Sequence, residues 1–502
     1  MRRTLHLPLA LLGLIASGES ASLRQRHESE SAISAAPRSS PNTIEHSKLP
    51  PSQEPEEKSL IAMQFSQRDP HARRDKLEMI QNGELSLAAI RYSPTSFSTG
   101  ADHDYFADDG AGDEYYTEVY GVFCAFDPSV SKQDPAKSPT TDSIMSQSEH
   151  CGEHPYTIPL REVMQAVRFH DDIASSYSSF NNSHKKMKQL QVSGLLFHEG
   201  YSGAGLLSNV LASAFNSTRV ISEHVAVRDA LGACDTIRNR HKSTNCSSAM
   251  QQRLVRDVVT LLSRTQDDAT MSTSNKVEHF ILKLSSASSA YLPELRFLYP
   301  HAQWTFLYRN ADDALAKATQ HKERRSACIM ARRNPTRALT AKSTEHNINL
   351  ESLSHHEICA LRLSSLLDTA GREHDESGTG MLVSYDDDIL SSSGGGGRVG
   401  NGAIIVDVIL PYLGLQEDID ADPQGVRDRV EKVLSVRSNH NSRGARRRGK
   451  QRQDHDVLWD GEEVEITEEV GAASKVFLSE SMDSITRFVN MEMLAAKIDS
   501  RR

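Results

Sequence analysis

Between Gln191 and Tyr385 short apolar runs alternate with helical patterns, and this rhythm restricts the fold more than any other feature of the chain. The runs lie at 191–198, 218–223, 279–285, 304–309 and 380–385. Apolar residues at helical spacing fall at 206–215, 225–237, 249–264, 290–299, 311–323, 354–370, 404–413, 425–436 and 471–498. Near-continuous apolar strands between helices make a parallel sheet covered on both faces. The expected class is therefore α/β: a parallel sheet flanked by helices, with a polar N-terminal extension. Ligands of such sheets bind beyond the carboxyl ends of the strands. His198 to Gly205, Glu223, Ser285 and Arg309 all stand at such ends.

One strand end is unusual. Val192 to Leu211 reads as a buried strand, a glycine-rich turn (His198-Glu199-Gly200-Tyr201-Ser202-Gly203-Ala204-Gly205) and the start of a helix. Backbone N–H groups of such a turn and of the helix N-terminus converge on one point, where negative charge is favoured. A tight βα turn that simply needs small residues reads the same way, but its place at a strand end favours a ligand site. A nucleotide-hydrolysing loop needs Lys and Ser or Thr after its last glycine. No Lys follows Gly203 or Gly205, and Leu206 stands in the metal-binding hydroxyl's place, which argues against ATP or GTP hydrolysis. Gly394 to Gly400 formally contains a dinucleotide-type glycine pattern, but no strand leads into it, and it reads as a Gly/Ser insertion.

The ends of the chain are of different character. Arg2 and Arg3 precede an apolar stretch from Leu5 to Ala16 and small residues near Ala16–Ala21, the pattern of a cleaved secretory signal over 1–21. An uncleaved segment would instead anchor the chain to a membrane. Residues 22–58 are rich in Ser, Pro, Glu and Arg and read as a disordered stem. An accessory region follows at 59–190, containing an acidic stretch from Asp102 to Tyr116, a strand near 119–126 and an amphipathic helix from Thr157 to His170. The main domain spans 191–499, with disordered insertions near 388–402 and 437–456. A net charge of −10 argues against a nucleic-acid partner. Six cysteines behind a secretory signal can pair. The most local scheme joins Cys234 to Cys246, Cys124 to Cys151 and Cys328 to Cys359, one of fifteen connectivities. Asn181, Asn216 and Asn245 stand in glycosylation sequons.

The segment 192–224 resembles the phosphosulfate loop and following strand of sulfotransferases, the Golgi-type and microbial eukaryote sulfotransferase-like proteins above all. A second block, Leu292 to Asn310, resembles that family's helix, proline turn and strand ending in Arg. A third, Asn441 to Lys450 followed by Trp459, is similar to its basic C-terminal loop, and reads equally as a plain basic loop or a processing site. The resemblance spans roughly residues 191–490. It implies a three-layer P-loop-type sheet and a co-substrate, 3′-phosphoadenosine 5′-phosphosulfate, with no metal. It implies a glycan or protein acceptor and a Golgi-luminal or secreted location. For the donor it implies His198, Tyr201, Ser202, Gly203, Ala204 and Gly205 around the sulfuryl end. Arg309, Lys317, Arg447, Arg448 and Gly449 would hold the 3′-phosphate.

The loop departs from the family's pattern. Tyr201 stands where a basic residue would neutralise the transferring group, and Ala204 and Gly205 stand where hydroxyls would. His198, Lys283 or the C-terminal basic loop could supply that charge. Lys317, eight residues beyond Arg309, replaces a hydroxyl. The alternative is an inactive protein of this fold serving as a luminal or secreted binding module. Transfer to a hydroxyl needs a proton acceptor. Glu223 closes the second strand where the resemblance implies the catalytic carboxylate, although a carboxylate there also suits the start of the next helix. Arg309 reads alternatively as a surface arginine at a helix start.

Overall fold

The computed structural model describes residues 70–92, 116, 118–125, parts of 141–151, 155–176, 187–240, 246–266, 277–320, 327–389, 402–440 and 466–488. The signal segment, the stem, the acidic stretch over 102–115, Gly394 to Gly400 and the basic loop with Arg447, Arg448 and Gly449 lie outside the described residues. So do Asn181 and Asn245, whereas Asn216 is exposed.

The described chain opens with helix α1 (Pro70–Gln81) and strands β1 (Ser86–Arg91), β2 (Tyr120–Cys124) and β3 (Tyr156–Pro159), which form an antiparallel sheet in the order β1-β2-β3. Helix α2 (Leu160–Ser176) follows. The helix expected from Thr157 therefore starts later, because Tyr156 to Pro159 pair with β2 along its edge. Leu160, Val163, Met164 and Val167 keep the helical spacing and face the core. Short strands β4 (Met187–Gln189) and β7 (Arg264–Gln266) pair antiparallel.

The main sheet is built from β5 (Val192–His198), β6 (Thr218–Ser222), β8 (His279–Lys283), β9 (Gln303–Tyr308) and β10 (Met381–Ser384). All pairings within it are parallel, in the order β10-β9-β5-β8-β6. These are the five anticipated runs, and the α/β class holds. The strand before the glycine-rich turn is the central one. From β5 the chain moves outward to β6, returns to β8, then crosses β5 to reach β9 and β10. Connections thus leave the centre in opposite directions beside β5, which opens a crevice at its carboxyl end.

Side-chain alternation fills both faces. Leu195, Phe197, Phe280, Leu282, Trp304 and Phe306 point into one apolar cluster, and Leu196, Ile281, Leu307 and Val383 into the other. Helix α3 (Ala204–Ala214) covers the second face together with residues 402–413 and Val426 and Val430. The first face is covered by α4 (Val225–Leu231), α6 (Ser248–Ser263), α7 (Leu292–Leu298) and α11 (His355–Ser377). Leu87, Phe123 and Val163 of the accessory elements join this same first cluster. The helix expected over 225–237 divides at Gly232 into α4 and α5 (Ala233–Arg240). Between β9 and α11 stand α8 (Ala311–Gln320) and two unanticipated helices, α9 (Ala327–Arg333) and α10 (Arg337–Glu345), on either side of Pro335. Helix α12 (Pro423–His440) runs into the segment read as an insertion at 437.

Three disulfides join Cys124 to Cys151, Cys234 to Cys246 and Cys328 to Cys359, the local scheme expected. Such bonds belong to an oxidising compartment, secreted or luminal. Among the described residues, no helix is long and apolar enough to cross a membrane.

Candidate functional site

The turn after β5 is wound left-handed. Gly200, Tyr201 and Gly203 have φ of 109°, 57° and 76°. For Tyr201 this conformation costs on the order of 1 kcal/mol, so surrounding contacts must hold it. Gly203 begins α3 and faces the ring of Tyr385, onto which a methyl group at that position would fall. Glycine is required there twice over, by φ and by space. Gly203→Ala is expected to lower stability by about 1–3 kcal/mol. A thermal midpoint recovered by adding Tyr385→Leu would separate the clash from the backbone strain. Ser202 is buried, and among the described residues its Oγ has no hydrogen-bond partner. An unsatisfied hydroxyl beside a helix N-terminus suits an anion oxygen. Ala204 is buried, and Gly205 is half-buried.

Arg309 directly follows β9, beside the turn, and is buried at 4% exposure, not a surface residue. Its Nη1 donates to the Tyr201 carbonyl at 3.4 Å. Its Nη2 donates to Asp386 Oδ1 at 3.1 Å and lies 3.3 Å from Asp313 Oδ2. The second Asp386 oxygen accepts from the Asn310 N–H at 2.7 Å. Asp386, just past β10, thus engages both neighbours: its two oxygens meet one guanidinium N–H and one backbone N–H, a charge-assisted arrangement. Lys317 is buried on α8.

Glu199 is almost fully buried and accepts from the Arg309 N–H at 2.8 Å through Oε1. Burial pushes its carboxyl up to about 8, against the opposing charges of Arg309 and Arg362. At neutral pH it is therefore mainly protonated and adds little negative charge at the mouth of the turn.

On the other side of β5, the ends of β8 and β6 bring three titratable groups together. Register places Lys283 opposite Ser222 and beside Leu196. Lys283, buried, forms an ion pair with Glu223 Oε1. His198 Nε2 lies 3.8 Å from the same oxygen and 3.0 Å from the Leu284 carbonyl. The carbonyl accepts only, so Nε2 carries the hydrogen and donates to it. Glu223 itself has φ of 54°, and its N–H donates to the Lys283 carbonyl at 2.8 Å. It does not cap the next helix. His224 does, its Nδ1 accepting from the Ala226 N–H at 3.1 Å. The proton then sits on His224 Nε2, which donates to the Leu87 carbonyl of β1 at 3.0 Å. The accessory sheet is thereby tied to the residue adjoining Glu223. Glu223, Lys283, Arg228, Ser285 and Ser288 line a recess here too tight to admit a water molecule.

The structure thus gathers His198, Tyr201, Ser202, Gly203, Glu223 and Arg309 along one edge of the sheet. Sequence reading missed Glu199, Asp386 and Tyr385. The signal for the last two was present, since Tyr385-Asp386-Asp387-Asp388 closes the last strand as Arg309 closes its neighbour.

The fold is similar to that of sulfotransferase STF9 from Mycobacterium avium, at 11% identity over 64% of this chain and 83% of that one, with a TM-score of 0.29. It is similar also to the sulfotransferase domain from the curacin biosynthetic pathway, at 10% identity over 60% of this chain and 99% of that one, with a TM-score of 0.27. No family model and no curated protein matches the sequence.

Proposed function

We propose that the chain is a sulfotransferase of the secretory pathway, Golgi-luminal or secreted, acting on a hydroxyl of a glycan or protein. The donor in this reading is 3′-phosphoadenosine 5′-phosphosulfate. The observation that carries it is the meeting of Glu223, Lys283 and His198 beside the left-handed turn, on the crevice side of a parallel sheet. The sequence resemblance over 192–224 and 292–310 supports the same assignment.

Each group has a role in this reading. Glu223 accepts the proton of the acceptor hydroxyl as its oxygen bonds to sulfur. The bridging S–O bond breaks, and its electron pair stays on the 5′-phosphate. The Lys283 ammonium stands beside Glu223, where it can meet negative charge on the transferring group. The turn N–H groups and Ser202 Oγ receive the 5′-phosphate. Arg309 holds the 3′-phosphate once Asp386 gives way to it.

The test is a thermal shift with the product, 3′-phosphoadenosine 5′-phosphate. A ligand bound by the native state alone, at 100 times its Kd, adds about 2.7 kcal/mol. A clear rise in midpoint is expected at millimolar product. An unchanged midpoint would remove the donor site.

A second reading, a binding module of the same fold without transfer, is favoured by Asp386 and Asp313 already holding Arg309 and by the absence of a cation in the turn. Incubation with radiolabelled donor separates the two. Product binding without label transfer to any glycan or protein hydroxyl would support the module.

A further inference from the structure

The turn between β5 and α3 contains no Lys or Arg from Glu199 to Gly205. Negative charge brought there must be met from neighbouring elements. On the β9 side stands Arg309, which Asp313 and Asp386 already engage. Lys283 stands with Glu223 at the end of β8, outside the turn. On the β8 side a further cation reaches the turn from a distant part of the chain. Arg362 lies at 7% exposure on α11, between the buried Leu361 and Leu363. Its Nη2 donates to Ser286 Oγ at 3.2 Å. Ser286 follows β8 and lies against the turn itself. A Cβ placed on Gly200 would be 3.6 Å from Ser286 Cβ and 3.7 Å from its Oγ. The guanidinium is thus one hydroxyl away from the backbone of the turn. Its charge also acts on Glu199, the residue that opens the turn.

We propose that Arg362 is the cation of the donor loop, taking from α11 the part that a basic residue at the position of Tyr201 would otherwise play. This rests on the sulfotransferase reading above. A guanidinium suits the part, because its planar fork can hold Ser286 and an anion oxygen at once and it stays charged at any working pH. Approach from the β8 side brings it to the flank of the turn nearer the Lys283–Glu223 pair, where charge develops during transfer.

The experiment measures binding of 3′-phosphoadenosine 5′-phosphate by calorimetry on the full chain. Removing one charge-assisted hydrogen bond to the ligand corresponds to about 10-fold to 100-fold in affinity. Arg362→Gln is expected to weaken binding by that amount, and Arg362→Lys by less than about 10-fold, since a lysine keeps the charge. Adding Tyr201→Arg to Arg362→Gln is expected to restore affinity by at least about 10-fold. An arginine that merely ties α11 to the sheet could not be rescued from the turn. If Arg362→Gln does not fold, Arg362→Lys decides: a loss that adding Tyr201→Arg regains is expected, and a loss that it does not regain, or no loss at all, would overturn the proposal. Unchanged binding in a folded Arg362→Gln, or no rescue by Tyr201→Arg, would overturn it while leaving the donor site standing. A parent chain that binds no product would overturn both.

Discussion

Glu223→Gln is expected to lower sulfuryl transfer by about 10²–10⁴-fold, the usual contribution of a positioned general base, with product affinity largely kept. The same change must also cost stability. Lys283 has 1% of its side chain exposed, and Glu223 is its counter-charge. Removing one partner of a buried pair typically costs about 3–5 kcal/mol, because the other charge is left uncompensated. Removing both leaves no charge stranded. Lys283→Met alone is therefore expected to destabilise by a similar amount, and the double variant to recover most of that stability. Activity should follow a different course, lowered by that same factor in Glu223→Gln and not regained in the double variant. Denaturation midpoints and label transfer on the four proteins separate the two effects. Transfer by Glu223→Gln at the parent rate would show that the carboxylate only stabilises the fold.

The pairing of Glu223 with Lys283 marks the limit of what the sequence could show. Glu223 closes the run 218–223, whereas Lys283 lies two residues before Ser285, the end of the run 279–285. Their contact depends on β6 and β8 being neighbours in parallel register, with Ser222 opposite Lys283, and they are about sixty residues apart in the chain. Strand positions were legible because apolar runs have a period, and that period survives in a single sequence. Neighbour order was not, since it is set by how the whole sheet packs. The same holds for Asp386. Its place beside Arg309 follows from β10 pairing with β9, which puts Ser384 opposite Tyr308. Arg362 is a different case. A charged residue in the apolar stretch Ile358 to Leu367 breaks the helical pattern locally, and such a break often marks a function. Glu199 stood inside the turn that drew attention first. Only its burial reveals that it is uncharged at neutral pH.

That protonation has a consequence for stability. Unfolded, Glu199 titrates near the ordinary carboxylate value. Folded, burial holds it at about 8. Between these values the native state binds the proton that the unfolded state has released, so stability falls as pH rises through the window. The slope approaches about 1.4 kcal/mol per pH unit. His224 acts in the opposite sense at lower pH. Burial depresses it to about 4, so the native state binds less proton than the unfolded one up to the ordinary histidine value near 6.5, and stability rises with pH over that range. Above pH 6.5 His224 no longer contributes, and the Glu199 effect is read as the difference between the parent and a variant that cannot ionise there. Glu199→Gln is expected to keep the bond to the Arg309 N–H, since its amide oxygen accepts as Oε1 does. It cannot ionise, so the decline should vanish. Stabilities of parent and variant should be close at pH 4.5 and below, and between pH 6.5 and pH 8 the gap should widen by about 2 kcal/mol in favour of the variant, as read from denaturation midpoints. Parallel profiles would mean that Glu199 is already ionised in the native state. Ligand binding should report the same proton. An ionised Glu199 repels an anion at the turn, so product affinity of the parent is expected to fall as pH rises through about 8, while the variant holds its affinity across the same range.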